Sequence, residues 1–215
     1  AELVRLIDKN FSSGTYTLRL LFRDEQRKIL ALILEEATNE ARAMYRNFHD
    51  EHAHLIRFVT DLGVPLPRRF RLAVAFTLHS DLLDAFSADE VDLKKSRVIL
   101  EEIRRTGVTP DAVTLEFALR RTIERLFTRF VANPMEPALL QRLQETIALV
   151  LTLPFQVRLW EAQNTYYSMM RGIAGEVRER AELGDSEAQS WLDGFVKLGD
   201  ALKVKVQIHA AVGVA

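Results

Sequence analysis

Apolar residues recur along most of this chain at intervals of three, four and seven, the spacing of one face of an α-helix. The first such series begins after Asp24 and Glu25, which suit a helix start, and continues to Leu62. Gly63 follows at the position of a left-handed C-cap, and prolines at 65 and 67 prevent continuation. The pattern therefore predicts one helix of about 40 residues. Its apolar stripe consists of Leu30, Ile33, Leu34, Ala37, Ala41, Met44, Phe48, Leu55, Val59 and Leu62.

Six further helices are predicted from the same periodicity and from the caps and prolines that bound it. They cover about residues 67–86, 92–106, 110–131, 136–153, 156–183 and 186–202. Only two short segments, 15–20 and 203–208, alternate polar and apolar residues as a strand does, and they would pair the two ends of the chain. The sequence thus predicts an all-α fold: a single helical-bundle-like domain, 1–215, of about seven helices.

The composition excludes several classes of protein. None of the 215 residues is cysteine, which excludes disulfide scaffolds, thiolate metal sites and a cysteine nucleophile. The formal net charge of -1 lacks the basic excess of a nucleic-acid-binding platform. The apolar runs are far shorter than the roughly 20 residues that cross a bilayer, and the start of the chain has no signal-peptide pattern. We therefore expect no nucleic-acid partner, no membrane partner and a cytoplasmic location.

The densest polar cluster lies late in the first predicted helix. Glu51 and His54 have the Glu-x-x-His spacing of di-iron helix bundles, with His52 beside them. Such a site needs a second pair, and neither His79 nor His209 has a carboxylate three residues earlier. These three residues are therefore weak metal candidates, and a structural histidine beside a solvated charge run is the favoured interpretation. We expect no cofactor.

The sequence has no nucleophile elbow and no glycine-rich phosphate loop, so no catalytic residue is assigned. Arg120, Arg121, Arg125 and Arg129 form a basic stripe on the fourth predicted helix. Arginines of this kind can bind phosphate groups. Acidic residues lie close by, however, and solvated arginines or arginines that pair with another domain are the favoured interpretation.

The sixth predicted helix carries the most informative candidate surface. Trp160, Asn164, Tyr167 and Arg171 follow one another at spacings of four, three and four, which places them on one strip beside the apolar face. Aromatic rings combined with amide and guanidinium donors suit sugar stacking with hydrogen bonds to hydroxyls, or contact with another domain. We predict that these residues and Gln163 form a carbohydrate or interdomain contact. The alternative is an aromatic edge of the core whose polar tips reach water.

Four stretches of sequence, at 21–30, 61–67, 153–164 and 178–185, carry a family resemblance. They read LFRDEQRKIL, DLGVPLP, LPF followed by LWEAQN, and RERAELGD. In order and spacing they are similar to a helical domain of unknown function in bacterial glycoside hydrolase family 57-like proteins, which process α-glucans and other polysaccharides. In those proteins the helical domain follows the catalytic domain.

The resemblance implies that this chain is the C-terminal part of a longer protein, with a catalytic (β/α) barrel in a preceding segment. The initial Ala, in place of Met, fits such a piece. It further implies a non-catalytic accessory domain whose partner is that barrel, with Trp160, Asn164 and Tyr167 walling an oligosaccharide cleft. Two alternatives remain: a helical interaction or oligomerisation module without a ligand of its own, and a metal-dependent helical bundle around the weak metal candidates.

Overall fold

The computed structural model describes residues 23–205. Within that range every regular element is an α-helix, as predicted, and the helices number nine rather than about seven. They are α1 (Arg23–Glu51), α2 (Ala53–Asp61), α3 (Arg68–Ser87), α4 (Leu93–Thr106), α5 (Ala112–Ala132), α6 (Pro137–Val150), α7 (Trp160–Arg171), α8 (Ile173–Glu182) and α9 (Ser186–Ala201). None of these nine has the length and apolar character needed to cross a membrane. The strand predicted at 15–20 lies outside the described residues, and 203–205, the described part of the other, form no strand.

The first predicted helix is interrupted at His52, which separates α1 from α2. His52 has a φ of -108° and a ψ of 10°, outside the helical region. Its imidazole Nδ1 lies 2.9 Å from the carbonyl oxygen of Phe48, and its ring stacks on the Phe48 ring at 4.4 Å. The His52 amide still donates to the same carbonyl at 3.2 Å, and the Ile56 amide donates to the carbonyl of His52 at 2.9 Å, so the extra side-chain contact accompanies a local distortion of the helical ladder. The apolar stripe continues through this break, so periodicity alone does not reveal it.

The sixth predicted helix is likewise two helices. It begins at Trp160 rather than near residue 156, and Gly172 separates α7 from α8. Gly172 has a φ of -95° and a ψ of -99°, a conformation outside the helix that glycine adopts at low cost. The two breaks account for the two additional helices.

Several predicted helix boundaries are confirmed by their backbone geometry. Gly63 and Gly107 have φ values of 68° and 64°, in the left-handed region expected of residues that end a helix. Asp92 and Asp185 precede α4 and α9, and their carboxylates accept hydrogen bonds from amides of the first turn. These boundaries depend on local backbone chemistry, which is why the sequence predicts them well.

The chain divides into two compact units, 1–77 and 78–215, and the division falls within α3. In the first unit, α1 contacts α2, and aromatic rings join α1 to α3. Tyr45 lies 4.8 Å from Phe76, and Phe48 lies 5.1 Å from Phe70, measured between ring centroids. The described apolar side chains that are buried here are few: Ile29, Ile56, Leu66, Ala73 and Val74.

The second unit contains the larger core, in which α6 packs against α5 and α9 and α7 packs against α5 and α8. Four aromatic rings form a buried column through it, in the order Phe130, Trp191, Phe195 and Tyr166. Successive ring centroids are 6.3, 4.6 and 4.3 Å apart. The Trp191 Nε1 donates to the carbonyl of Pro134 at 2.5 Å, and the Tyr166 hydroxyl donates to the carbonyl of Phe195 at 3.0 Å. The column therefore buries aromatic surface without leaving these two polar tips unpaired.

Tyr166→Phe tests the value of that buried hydrogen bond. Burial raises the pKa of the Tyr166 phenol well above its usual value, so the hydroxyl remains a donor. We expect the substitution to lower the free energy of unfolding by about 1–2 kcal/mol, because a buried carbonyl loses a donor. Urea unfolding followed by circular dichroism measures the change. Tyr167→Phe is the matched control, since the Tyr167 side chain is exposed, and equal losses in the two variants would contradict the assignment.

Asp185 predicts a specific dependence of stability on pH. Hydrogen bonds from the Ala188 amide and then from the Arg180 guanidinium hold the pKa of the Asp185 carboxyl below its usual value of 3.8. A depressed pKa means that the stabilisation is present above the unfolded-state pKa and is lost as pH falls through the folded-state pKa. We therefore expect Asp185→Ala to melt at a lower temperature than the native chain at pH 7, with the difference shrinking below about pH 4.

Asp185→Asn serves as the control for this measurement. Asparagine retains a cap oxygen but does not titrate. The Asp185→Asn variant should therefore melt above the Asp185→Ala variant by the same number of degrees at every pH. If the difference in melting temperature between the native chain and Asp185→Ala also stays constant down to about pH 3, the carboxylate charge contributes nothing to stability.

Candidate functional site

The predicted strip lies on the exposed face of α7. The Trp160 side chain is 67% exposed and that of Tyr167 is 48% exposed, and Asn164 and Arg171 are exposed as well. The Arg171 guanidinium lies 5.9 Å from the centroid of the Tyr167 ring, within cation–π distance. The opposite face of α7 is buried, including Tyr166 of the aromatic column. Four of the five predicted contact residues are therefore together on one surface.

Gln163, the fifth predicted residue, has a structural contact. It is half-buried, and its Nε2 donates to the carbonyl oxygen of Leu202 at 2.8 Å. Leu202 is the C-cap residue of α9, so this bond ties α7 to the end of α9. The bond occupies one of the two amide donors of Gln163, and the residue lies beside the exposed strip rather than on it.

A shallow cleft of about 220 Å³ borders the Trp160 ring. Its other walls are Glu161, which follows on α7, Arg158, which precedes α7, and Arg120 and Glu124 of α5. The cleft exists because α5 packs against α7, which brings a charged surface of one helix beside the exposed tryptophan of the other. An aromatic ring is thus bordered by two guanidinium groups and two carboxylates.

Arg120, Glu124 and Arg158, which line this cleft, are joined through Glu116 in one network of ion pairs. The Arg120 guanidinium contacts Glu116 at 3.2 Å and Glu124 at 3.0 Å along α5. Glu116 also accepts a hydrogen bond from the Arg158 amide at 3.2 Å and has the Arg158 Nε at 3.7 Å. The pKa of Arg120 is raised above its usual value, chiefly by its hydrogen bond to Glu124. The network holds its side chains in place, which reduces the entropy that a ligand would have to remove.

A second exposed ring lies on α5 beside the same network. The Phe117 side chain is exposed, and the guanidinium groups of Arg120 and Arg121 lie 5.4 and 5.9 Å from its ring centroid. Arg120 therefore contacts the Phe117 ring and also lines the cleft beside Trp160. The two aromatic side chains flank one guanidinium group, on neighbouring helices.

Sequence reasoning missed Glu116, Phe117, Glu124, Arg158 and Glu161 as parts of this surface. The signal for the α5 members was present, because Arg120 was recognised in a basic stripe with acidic residues nearby. Their position beside Trp160 depends on how α5 and α7 pack, about 40 residues apart in sequence. No spacing within one helix contains that information.

Two further arginines of the predicted basic stripe bind to residues within unit 78–215. Arg125 donates to the carbonyl of Ala88 at 2.8 Å, and Arg129 pairs with Glu90 at 3.0 Å. Both partners belong to the segment that joins α3 to α4. The partners of Arg120, Arg125 and Arg129 thus lie within unit 78–215 itself, and pairing of these arginines with another domain stays a prediction.

The weak metal candidates are not brought together. Glu51 is the last residue of α1, His52 occupies the break with its Nδ1 at the Phe48 carbonyl, and His54 is exposed on α2. Residues 23–205 contain no group of three or more His, Asp or Glu side chains arranged to hold a metal ion. His52 has the structural role that the sequence favoured for it.

The chain was compared with known protein families, curated proteins and solved structures. No protein family, curated protein or solved structure matches the chain.

Proposed function

We propose that this chain is a non-catalytic, helical accessory domain of a glycoside-hydrolase-like protein. In that protein it packs on a catalytic barrel and contributes the α7 strip and the adjacent α5 surface to the wall of a carbohydrate cleft. The resemblance of four sequence stretches to the helical domain of family 57-like proteins supports the parentage. The exposure of Trp160 beside the charged cleft is the observation that carries the carbohydrate role.

The exposed Trp160 ring favours a ligand that has an apolar face. Covering a large, solvent-exposed aromatic ring with another apolar face lowers the free energy of the system, because both surfaces are removed from water. The ring faces of a pyranose are apolar C–H surfaces bordered by hydroxyls. A sugar stacked on Trp160 would place those hydroxyls near Arg158, Glu161 and Glu124, which can donate or accept hydrogen bonds.

The charges of the cleft favour an uncharged ligand. Among the residues that line the cleft, the charges of Arg120 and Arg158 are balanced by those of Glu124 and Glu161, so neither a strongly anionic nor a strongly cationic ligand is preferred. Glu116 and Glu124 both accept from Arg120 in an open cleft, which suits a binding wall better than acid–base catalysis. An uncharged oligosaccharide fits this combination, and the proposal assigns no catalytic residue to the chain.

A second candidate function is a helical interaction or oligomerisation module. It is favoured by large apolar side chains that are exposed in α1 and α2, among them Leu34 and Phe58. Exposed apolar surface of this kind often marks a protein–protein contact. The two candidates concern different surfaces, so one chain can serve both.

Tryptophan fluorescence tests the carbohydrate role directly. Trp160 and Trp191 are the only tryptophans of the chain, and Trp191 is buried in the aromatic column. We expect maltoheptaose to shift the emission of Trp160 with a Kd on the order of a millimolar, since the surface is shallow. Trp160→Ala should abolish the response while the Trp191 signal continues to report an intact core.

One control variant and one activity measurement complete this test. Tyr166→Phe perturbs the buried face of α7 but leaves the exposed strip in place, so the response to maltoheptaose should persist. Absence of any response in the native chain, together with unchanged activity of a barrel-containing protein that carries Trp160→Ala, would contradict the proposed wall. A loss of activity in that protein without a fluorescence response would instead leave only the interdomain role.

A further inference from the structure

Helix α1 presents an apolar seam, most of which is exposed. Six apolar residues recur at alternating steps of four and three, which is the heptad spacing of a coiled coil. They are Leu30, Leu34, Ala37, Ala41, Met44 and Phe48. The helix that carries them has 29 residues and begins at Arg23. The seam therefore extends along most of a long, regular helix.

Most of this seam is in contact with solvent. The exposed fractions are 48% for Leu30, 64% for Leu34 and 59% for Met44. Ala37 is also exposed, whereas Ala41 and Phe48 are half-buried, and the Phe48 ring contacts Phe70 of α3. Of the residues in α1, only Ile29 is fully buried. Leucine and methionine at the core positions of a heptad pattern normally pack against another helix.

The side-chain sizes along the seam are symmetric about residue 39. From Leu30 to Phe48 the order is two large residues, two alanines and two large residues. If a second α1 lies antiparallel across the first, Leu34 meets the Met44 of that copy and Ala37 meets its Ala41. The outer layers pair Leu30 with the exposed part of Phe48. Every layer then matches large with large or small with small, and the alanines permit a close approach at the centre.

The charges beside the seam do not prevent such a pairing. The six flanking positions are Ala31, Ile33, Thr38, Glu40, Tyr45 and Asn47, of which only Glu40 is charged. A strongly charged partner helix would find no complementary charges here. An identical helix meets the same nearly neutral margins that it presents, at the cost of placing the two Glu40 carboxylates near the two-fold axis.

Chain direction favours the antiparallel arrangement over the parallel one. At the end of α1, α2 and α3 follow within the same compact unit, and rings of α3 pack on Tyr45 and Phe48. A parallel pair would bring these elements of both copies to the same end of the coiled coil. An antiparallel pair places them at opposite ends and also aligns the two helix dipoles favourably.

We propose that the α1 seam is a self-association surface, on which the α1 of a second copy of this chain forms an antiparallel two-stranded coiled coil. The contact is isologous, so it closes at a dimer and does not propagate into a fibre. It does not depend on the carbohydrate surface, because the seam belongs to unit 1–77 and the Trp160 strip to unit 78–215. It specifies the face and the partner for the interaction role described above.

Sedimentation velocity over about 1 to 100 µM of the 215-residue chain tests the proposal, with a concentration-dependent dimer as the expected result. Leu34→Glu should raise the dimer dissociation constant about tenfold or more, because it places a carboxylate in the apolar layers. Leu32→Glu is the matched control. Leu32 is 47% exposed on the same helix but lies off the seam, so its variant should dimerise like the native chain. A native chain that stays monomeric, or equal weakening by both variants, would overturn the proposal.

Glu40→Lys tests the direction of the pairing. In the antiparallel arrangement Glu40 lies opposite its own copy, so an equimolar mixture of native and Glu40→Lys chains should form heterodimers more tightly than either forms homodimers. In a parallel arrangement Glu40 would lie opposite Tyr45, and a mixture of native and Glu40→Lys chains would show no preference for the heterodimer. Heterodimer excess in the mixture, read by native mass spectrometry, supports the antiparallel register, and a statistical distribution overturns it.

Discussion

The buried column of four aromatic rings determines how α5, α7 and α9 lie against one another in the second unit. Phe130, Trp191, Phe195 and Tyr166 stack in succession, and the Trp191 and Tyr166 polar tips bond to backbone carbonyls. The Tyr166 bond joins α7 to α9, and the Trp191 bond joins α9 to the segment that follows α5, so both bonds restrict how α7 and α9 can rotate. Because side chains on a helix repeat every 3.6 residues, directing Tyr166 inward directs the Trp160 strip outward. The candidate surface is thus a consequence of the core on the other side of the same helix.

Ion pairs and hydrogen bonds to backbone have a similar organising role on α5. Arg125 and Arg129 hold the segment between α3 and α4, while Arg120 joins Glu116 and Glu124 at the margin of the Trp160 cleft. One helix therefore buries apolar residues in the core, restrains a connecting segment and contributes to the candidate site.

Among the described residues, the first unit has far fewer buried side chains than the second. Few of its described side chains are buried, and its longest helix keeps an apolar seam in solvent, as expected of a surface completed by another molecule.

Most of the fold was predictable from local signals, and the differences have local causes as well. Helix ends at Gly63 and Gly107 and starts at Asp92 and Asp185 follow from backbone preferences that a short sequence contains. The breaks at His52 and Gly172 were missed because the apolar stripe passes through both of them. A histidine that bonds a carbonyl and a glycine in an unusual conformation leave the hydrophobic periodicity intact. The number of helices was therefore underestimated. The predicted stripe of the first helix is largely exposed, and the residues buried in α1 and α2 are Ile29 and Ile56, which lie off that stripe.

The sequence by itself determined that this chain is helical between residues 23 and 205, where most helices end, and which residues share the exposed strip of α7. These properties follow from dihedral preferences and the 3.6-residue period, both of which act within a few residues. Only the tertiary structure decided that Gln163 bonds to Leu202, that Arg120, Glu124 and Arg158 line a cleft beside Trp160, and that most of the α1 seam is exposed. The reason is physical: helix packing creates these contacts between residues far apart in sequence, and no local pattern specifies which helices meet.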